Sequence, residues 1–242
     1  DRLNKEISPI LPSRPPVLCA GCPHRASLYA IKLASRKVAR DYDEATEPVY
    51  PSDIGCYTLA YTPPIESADT CICMGSSFGI ANGLAHVVDA PIVAHLGDST
   101  FFHARIPPLI NAVYNKANIT MVVLDNSATA MTGFQPHPGT GHTARGEETV
   151  ILRPEEIAKA CGVEFVEVVD PFDLKATVDT LEKAIRFNGP SLVVSRRLCT
   201  QIELSNRKRR GEITIPYLVD KEKCSPKCRA CIELFGCPAV VE

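Results

Sequence analysis

Apolar residues recur along this chain in two rhythms. PIVAHLGD (91–98), ITMVVLDN (119–126), EFVEVVD (164–170) and SLVVSRRLC (191–199) are near-continuous apolar runs that predict strands buried on both faces. VYPSDIG (49–55) and TCICM (70–74) read as shorter strands. Between them the helical period takes over. Leu28, Ile31, Ala34 and Val38 share one face of a helix predicted over 24–38. The glycine-punctuated segment 75–88 is helical in period, and 107–118 is a helix with Pro107 or Pro108 in its first turn, where a missing N–H costs nothing. A short helix is predicted over 153–162, with Pro154 near its start and Gly162 past its end. Leu174, Val178, Leu181 and Ile185 mark an amphipathic helix stopped by Asn188-Gly189-Pro190. This alternation predicts an α/β fold, a doubly wound, mostly parallel sheet with helices on both sides. Ligands of such sheets sit at the carboxyl ends of strands, so the loops after Gly55, Met74, Gly97, Asn126 and Val194 are the places to look.

Composition narrows the class. The 242 residues are 45% hydrophobic with a net charge of −2, which gives no chain-level sign of nucleic acid or an acidic membrane as partner. No apolar run reaches the roughly 18 residues of a membrane span. The opening DRLNKEISP has neither an initiator Met nor a signal peptide and reads as the continuation of a longer chain. Residues 1–15, rich in proline, read as a linker, 16–203 as the main domain, 204–218 as a second linker and 219–242 as a small Cys-rich unit. The basic run SNRKRRG is expected to be solvated. The loop SATAMTGFQPHPGTGHTARGE is long enough to be functional or mobile. Eleven Cys in a chain with long buried strands point to reduced thiols, metal or cluster chemistry rather than a secreted disulfide framework.

The chemistry concentrates where one strand ends in Gly97-Asp98-Ser99 and the next in Asp125-Asn126. Thr100 to Leu124, 25 residues, separate the two, so both ends lie at one edge of a parallel sheet, one crossover apart. A carboxylate and an amide oxygen there suit a hard cation such as Mg²⁺, which prefers oxygen ligands and commonly bridges to phosphates. Gly97 allows close backbone approach, and helix N-termini beyond the strands favour an anion.

This arrangement resembles the thiamine diphosphate motif of thiamine-dependent enzymes, written GDG, a spacer in the mid-twenties, then NN. Ser99 replaces the last glycine and Asp125 the first asparagine. CAGCPHR, SDIGCYTL, CMGSSFGIANGLA, GDSTFFH and DNSATAMTGFQPHPGTG, in that order, resemble the alpha subunits of the indolepyruvate type among the 2-oxoacid:ferredoxin oxidoreductases. The resemblance covers about 16–200, and the Cys-rich tail fits the same subunits. It implies Mg²⁺ on Asp98, Asn126 and the carbonyl of Ala128. It implies a thiamine diphosphate site drawn from Cys19, Gly21, Cys22, Gly55, Gly75, Ser76, Ser77, Gly97, Asp98, Ser99, Asn126, Ala128, Thr129, Met131 and Thr132. His24 and Cys56 are the candidates nearest the chemistry; His24 is a proton carrier, a phosphate anchor or a helix cap. The implied activity is oxidative decarboxylation of aryl 2-oxo acids to acyl-coenzyme A, with electrons passed through iron–sulfur clusters to ferredoxin. The implied partners are a 2-oxo acid, coenzyme A, ferredoxin and a beta subunit in a cytoplasmic hetero-oligomer. The acidic residue that activates the aminopyrimidine belongs to a region that this chain does not match.

The resemblance also implies a [4Fe–4S] cluster on Cys19, Cys22, Cys56 and Cys199, beside the thiamine; four reduced thiols lining that pocket are the alternative. Cys224, Cys228, Cys231 and Cys237-Pro238 resemble a ferredoxin-like [4Fe–4S] run with two lengthened gaps, a four-thiolate zinc knuckle being the other reading. Cys71, Cys73 and Cys161 are expected in the core. Two competing functions remain: a nonoxidative thiamine-dependent decarboxylase or synthase, and a zinc or electron-transfer module on a degenerate scaffold. The Cys-rich tail argues against the first, intact Asp98 and Asn126 against the second.

Overall fold

Four parallel strands form the centre of a computed structural model that describes residues 6–10, 16–43, 45–215, 217–220, 222–225 and 227–240. Helix α1 spans Pro23–Ala39, and β1 is Pro51–Ser52. A 3₁₀ turn, Cys56–Tyr61, leads to β2, Thr70–Cys71. Next come α2 (Ser77–Leu84), β3 (Val93–Gly97), α3 (Asp98–Ala104), α4 (Ile106–Tyr114) and β4 (Thr120–Asp125). The chain continues through α5 (Pro154–Ala160), β5 (Phe165–Val169), α6 (Leu174–Arg186), β6 (Ser191–Arg196), α7 (Thr200–Arg209) and α8 (Ala230–Glu233).

The main sheet has the order β3-β4-β6-β5, every pair parallel. β1 and β2 form a parallel ribbon. A parallel bridge between Val49 and Ile92 joins that ribbon to β3, so the strand ends share one edge. Helix α1 packs on α6, while α2 packs on α4 and α3 touches α5. The β1–β2 connection leans on α1, whereas α3 and α4 follow β3 on the side of α2. Chain leaving β1 and β3 thus diverges, and a crevice opens between their carboxyl ends. This is the doubly wound parallel sheet expected from the pattern. Every residue of β3 and β4 is buried, as the continuous apolar runs require.

Several expectations are corrected. TCICM forms only a two-residue edge strand, and Cys71 and Cys73 are exposed rather than core. A strand face that no other element covers leaves its alternating side chains to solvent. Cys161 is half-buried and packs against the core. No break occurs at Leu204, because α7 carries the basic run to Arg209 with none of its residues buried. The expected 1–15 linker and the 219–242 unit lie partly outside the described residues.

Candidate functional site

A pocket opens over the carboxyl ends of β1, β3 and β4. Its lining includes His24, Ile54–Tyr57, Met74, Gly97–Thr100, Asn126 and Ala128–Thr132. Gly55, Cys56, Gly97, Asp98, Ser99, Asn126, Ala128, Thr129, Met131 and Thr132 of the sequence-derived set are therefore brought together here, with His24. Tyr57 forms part of the wall. A Cβ on Gly97 would stand 2.8 Å from its ring, and one on Gly55 2.4 Å. The two glycines therefore grip the ring, whose hydroxyl lies 3.1 Å from the Ile54 carbonyl and 3.2 Å from Thr100 Oγ1.

Asp98 opens α3 and is 2% exposed. Its Oδ1 accepts from the Ser99 amide at 2.8 Å. Its Oδ2 lies 3.0 Å from His137 Nε2 in a buried pair, and neither atom makes a well-formed hydrogen bond. Burial raises the Asp98 pKa, and the neighbouring His137 pulls it back in part. A buried carboxylate with an orphaned oxygen fits a cation. Asn126, 4% exposed, completes that corner: its Oδ1 accepts from the Ala128 amide at 3.2 Å, and its Nδ2 donates to His24 Nε2 at 3.1 Å. Burial pushes His24 down to about 4, with His95 adding to the effect, so the ring is neutral at pH 7. Neutrality argues against a charged phosphate anchor. His24 makes no cap either, because Cys22 holds the N-cap position of α1 without a side-chain cap bond.

A second chamber adjoins the first. Cys19, Cys22, Cys56 and Cys199 line it, and His24, Cys56, Asn126 and Ala130 belong to both. Only the fold gathers these four thiols: α1 supplies the C-x-x-C turn, the loop after β1 supplies Cys56, and the end of β6 supplies Cys199. Burial raises the Cys22 thiol to about 11, against the amides of Arg25 and His24 that favour its thiolate. Cys56 is raised by burial and by Cys19 and Cys199 nearby. Four sulfur donors suit an iron–sulfur cluster. Among the described residues, no group of three or more His, Cys, Asp or Glu is placed to hold a metal ion.

Gly75, Ser76 and Ser77 do not line the pocket. They wrap Asp53 instead, a residue absent from the sequence-derived set. Its Oδ1 accepts from the Ser76 and Ser77 amides and Ser76 Oγ at 2.7, 2.8 and 3.0 Å. Its Oδ2 accepts from Ser77 Oγ at 2.8 Å and Arg105 Nη2 at 2.9 Å. The donors at the start of α2 are spent on this internal anion. Gly21 turns away towards Thr200, and α-left backbone at φ +67° suits it there. His137 was also missed, since its partner Asp98 lies far off in sequence. The tail thiols Cys224, Cys228 and Cys231 are exposed, Cys237 is half-buried, and the Cys237 amide donates to the Cys231 carbonyl at 3.1 Å.

The chain is 49% identical over 238 residues to indolepyruvate oxidoreductase subunit IorA of Archaeoglobus fulgidus, covering 98% of this chain and 37% of that protein. It is 44% identical over 254 residues to the subunit of the same name from Pyrococcus horikoshii, covering 99% of this chain and 38% of that protein. The chain thus spans little more than a third of the length of these relatives. A solved 2-oxoglutarate:ferredoxin oxidoreductase from Magnetococcus marinus, with 2-oxoglutarate, coenzyme A and succinyl-CoA bound, shares the fold. Its TM-score is 0.68 at 21% identity, over 86% of this chain and 74% of that one. A family profile described as the C-terminal TPP binding domain of thiamine pyrophosphate enzymes matches residues 53–195, and the chain belongs to that family.

Proposed function

We propose that this chain is the thiamine diphosphate- and Mg²⁺-binding part of an enzyme that oxidatively decarboxylates aryl 2-oxo acids, of the indolepyruvate type, to acyl-coenzyme A. Electrons leave through iron–sulfur clusters to ferredoxin. The observation that carries this reading is the wall shared by the Asp98–Asn126 pocket and the four-cysteine chamber. A nonoxidative thiamine enzyme has no use for such a chamber.

Asp98, Asn126 and the Ala128 carbonyl would hold Mg²⁺, and the orphaned Asp98 Oδ2 supports that assignment. When bound, thiamine diphosphate supplies the electron sink for loss of carbon dioxide. Neutral His24 holds the Asn126 amide in place through Nε2. Ile54, Met74 and Met131 give the pocket apolar lining. Cys19, Cys22, Cys56 and Cys199 would carry one cluster and Cys224, Cys228, Cys231 and Cys237 a second. Coenzyme A, ferredoxin, a beta subunit and a cytoplasmic hetero-oligomer belong to the same reading; the relatives are named as subunits, which supports the hetero-oligomer alone. Among the described residues, no helix is long and apolar enough to cross a membrane.

The test is spectroscopic. Anaerobically purified full-length protein is expected to absorb broadly in the visible and to bleach on adding an aryl 2-oxo acid with thiamine diphosphate and Mg²⁺. Iron-free protein that still binds the cofactor would overturn the oxidative reading.

A further inference from the structure

Arg25 ends the CAGCPHR turn and lines neither the cofactor pocket nor the cysteine chamber. It is 3% exposed. Its Nη1 donates to the carbonyls of Phe235 at 2.9 Å and Gly236 at 2.6 Å, and its Nη2 donates to the Leu18 carbonyl at 2.6 Å. The first two carbonyls belong to the Cys-rich tail, and the third immediately precedes Cys19. One planar guanidinium therefore ties two remote stretches of chain together, a task that needs its fork of donors. Aromatic contacts reinforce the joint. Phe235 meets Tyr29 edge-on at 5.4 Å, and the Arg25 charge lies 5.9 Å from the Phe235 ring. Gly236 sits at φ +62°, and a Cβ there would stand 2.5 Å from Pro64 Cδ.

A groove runs beside this joint, with Cys22 and Cys231 both in its lining. Burial lowers the Arg25 pKa, and Cys237, Cys22 and Cys19 offset that only in part. Sulfurs of both cysteine sets thus border one cation.

We propose that Arg25 is a clasp, a positioning residue that holds the tail cysteines against the CAGC turn and makes this groove the electron crossing between the two cysteine sets. The electron part rests on the cluster reading above. With clusters bound on both cysteine sets, one electron would leave the chamber group and be taken up by the tail group, with no bond formed or broken and no proton moved. The Arg25 charge would ease the repulsion of two anionic groups.

Full-length Arg25→Ala, Arg25→Lys and Phe235→Ala proteins test this. Amide hydrogen exchange over 230–237 is expected to accelerate at least about tenfold in Arg25→Ala and less in Arg25→Lys, which keeps the charge without the fork. In dithionite-reduced parent, the EPR signals of chamber and tail should interact magnetically. In Arg25→Ala the interaction should vanish at unchanged iron content. Phe235→Ala, which leaves the CAGCPHR turn whole, should loosen the same segment and carries the test if Arg25→Ala does not fold. Unchanged exchange and undiminished coupling overturn the clasp. An iron-free parent overturns the cluster reading, while the exchange data still decide whether Arg25 holds the tail.

Discussion

Asp53 and Asp98 follow the adjacent strands β1 and β3, and both are buried, at 0% and 2% exposure. Asp53 receives five donors, among them Arg105 in an ion pair with no exposed side-chain surface. Asp98 receives one amide and keeps an orphaned oxygen facing His137. The difference separates architecture from chemistry. A carboxylate surrounded by donors knits β1 to the start of α2 and the α3–α4 junction. A carboxylate left short of donors, in the pocket lining beside Asn126, is the one that the proposed function gives to a cation.

The sharpest way to break this comparison is to remove the cation from the Asp53–Arg105 pair, in which the carboxylate is fully supplied with donors although Arg105 Nε and Nη1 have no partner. Arg105→Met leaves Asp53 buried without its cation and is expected to cost roughly 3–5 kcal/mol in denaturant-induced unfolding. Asp98→Asn should do the reverse. Calorimetric titration should show Mg²⁺-dependent thiamine diphosphate affinity falling at least about 100-fold, or about 2.7 kcal/mol. Stability without cofactor should stay within about 1 kcal/mol of the parent, since the variant replaces an under-solvated charge with an amide. If that variant binds as tightly as the parent, the metal assignment is wrong. Gly97→Ala pushes a methyl into the Tyr57 ring and should cost about 1–3 kcal/mol in thermal unfolding. Tyr57→Phe, the mildest change, removes a hydroxyl near Thr100 and should cost about 1 kcal/mol by the same measurement.

The sequence made Asp98 visible and hid Asp53, for physical reasons. Asp98 ends a long apolar run, and its partner Asn126 ends the next, so both strand ends could be counted to one sheet edge. Asp53 follows a two-residue strand, and Arg105 lies 52 residues on, with no local pattern between them. The donors of Ser76 and Ser77 looked available for a phosphate because nothing nearby in sequence showed the buried anion that takes them. The alternation of Cys71 and Cys73 gave the period of a strand but not that its face is left uncovered. The α7 extension escaped because its last residues carry charge rather than an apolar stripe, and α7 buries none of its residues. Cys19, Cys22, Cys56 and Cys199 could be grouped only through the family resemblance, because their separations in sequence leave any meeting to the tertiary structure.

The Tyr57 ring, held between Gly55 and Gly97, has a consequence for redesign. Its bulk takes up part of the space at this end of the sheet. Enlarging Gly55 or Gly97 alone drives a side chain into the ring, whereas trimming Tyr57 alone releases the contact. A library meant to reshape the cavity should vary Tyr57 towards smaller side chains, with alanine at Gly97 as the compensating change. Paired changes of that kind would exchange volume across the contact while leaving the metal corner at Asp98 and Asn126 intact.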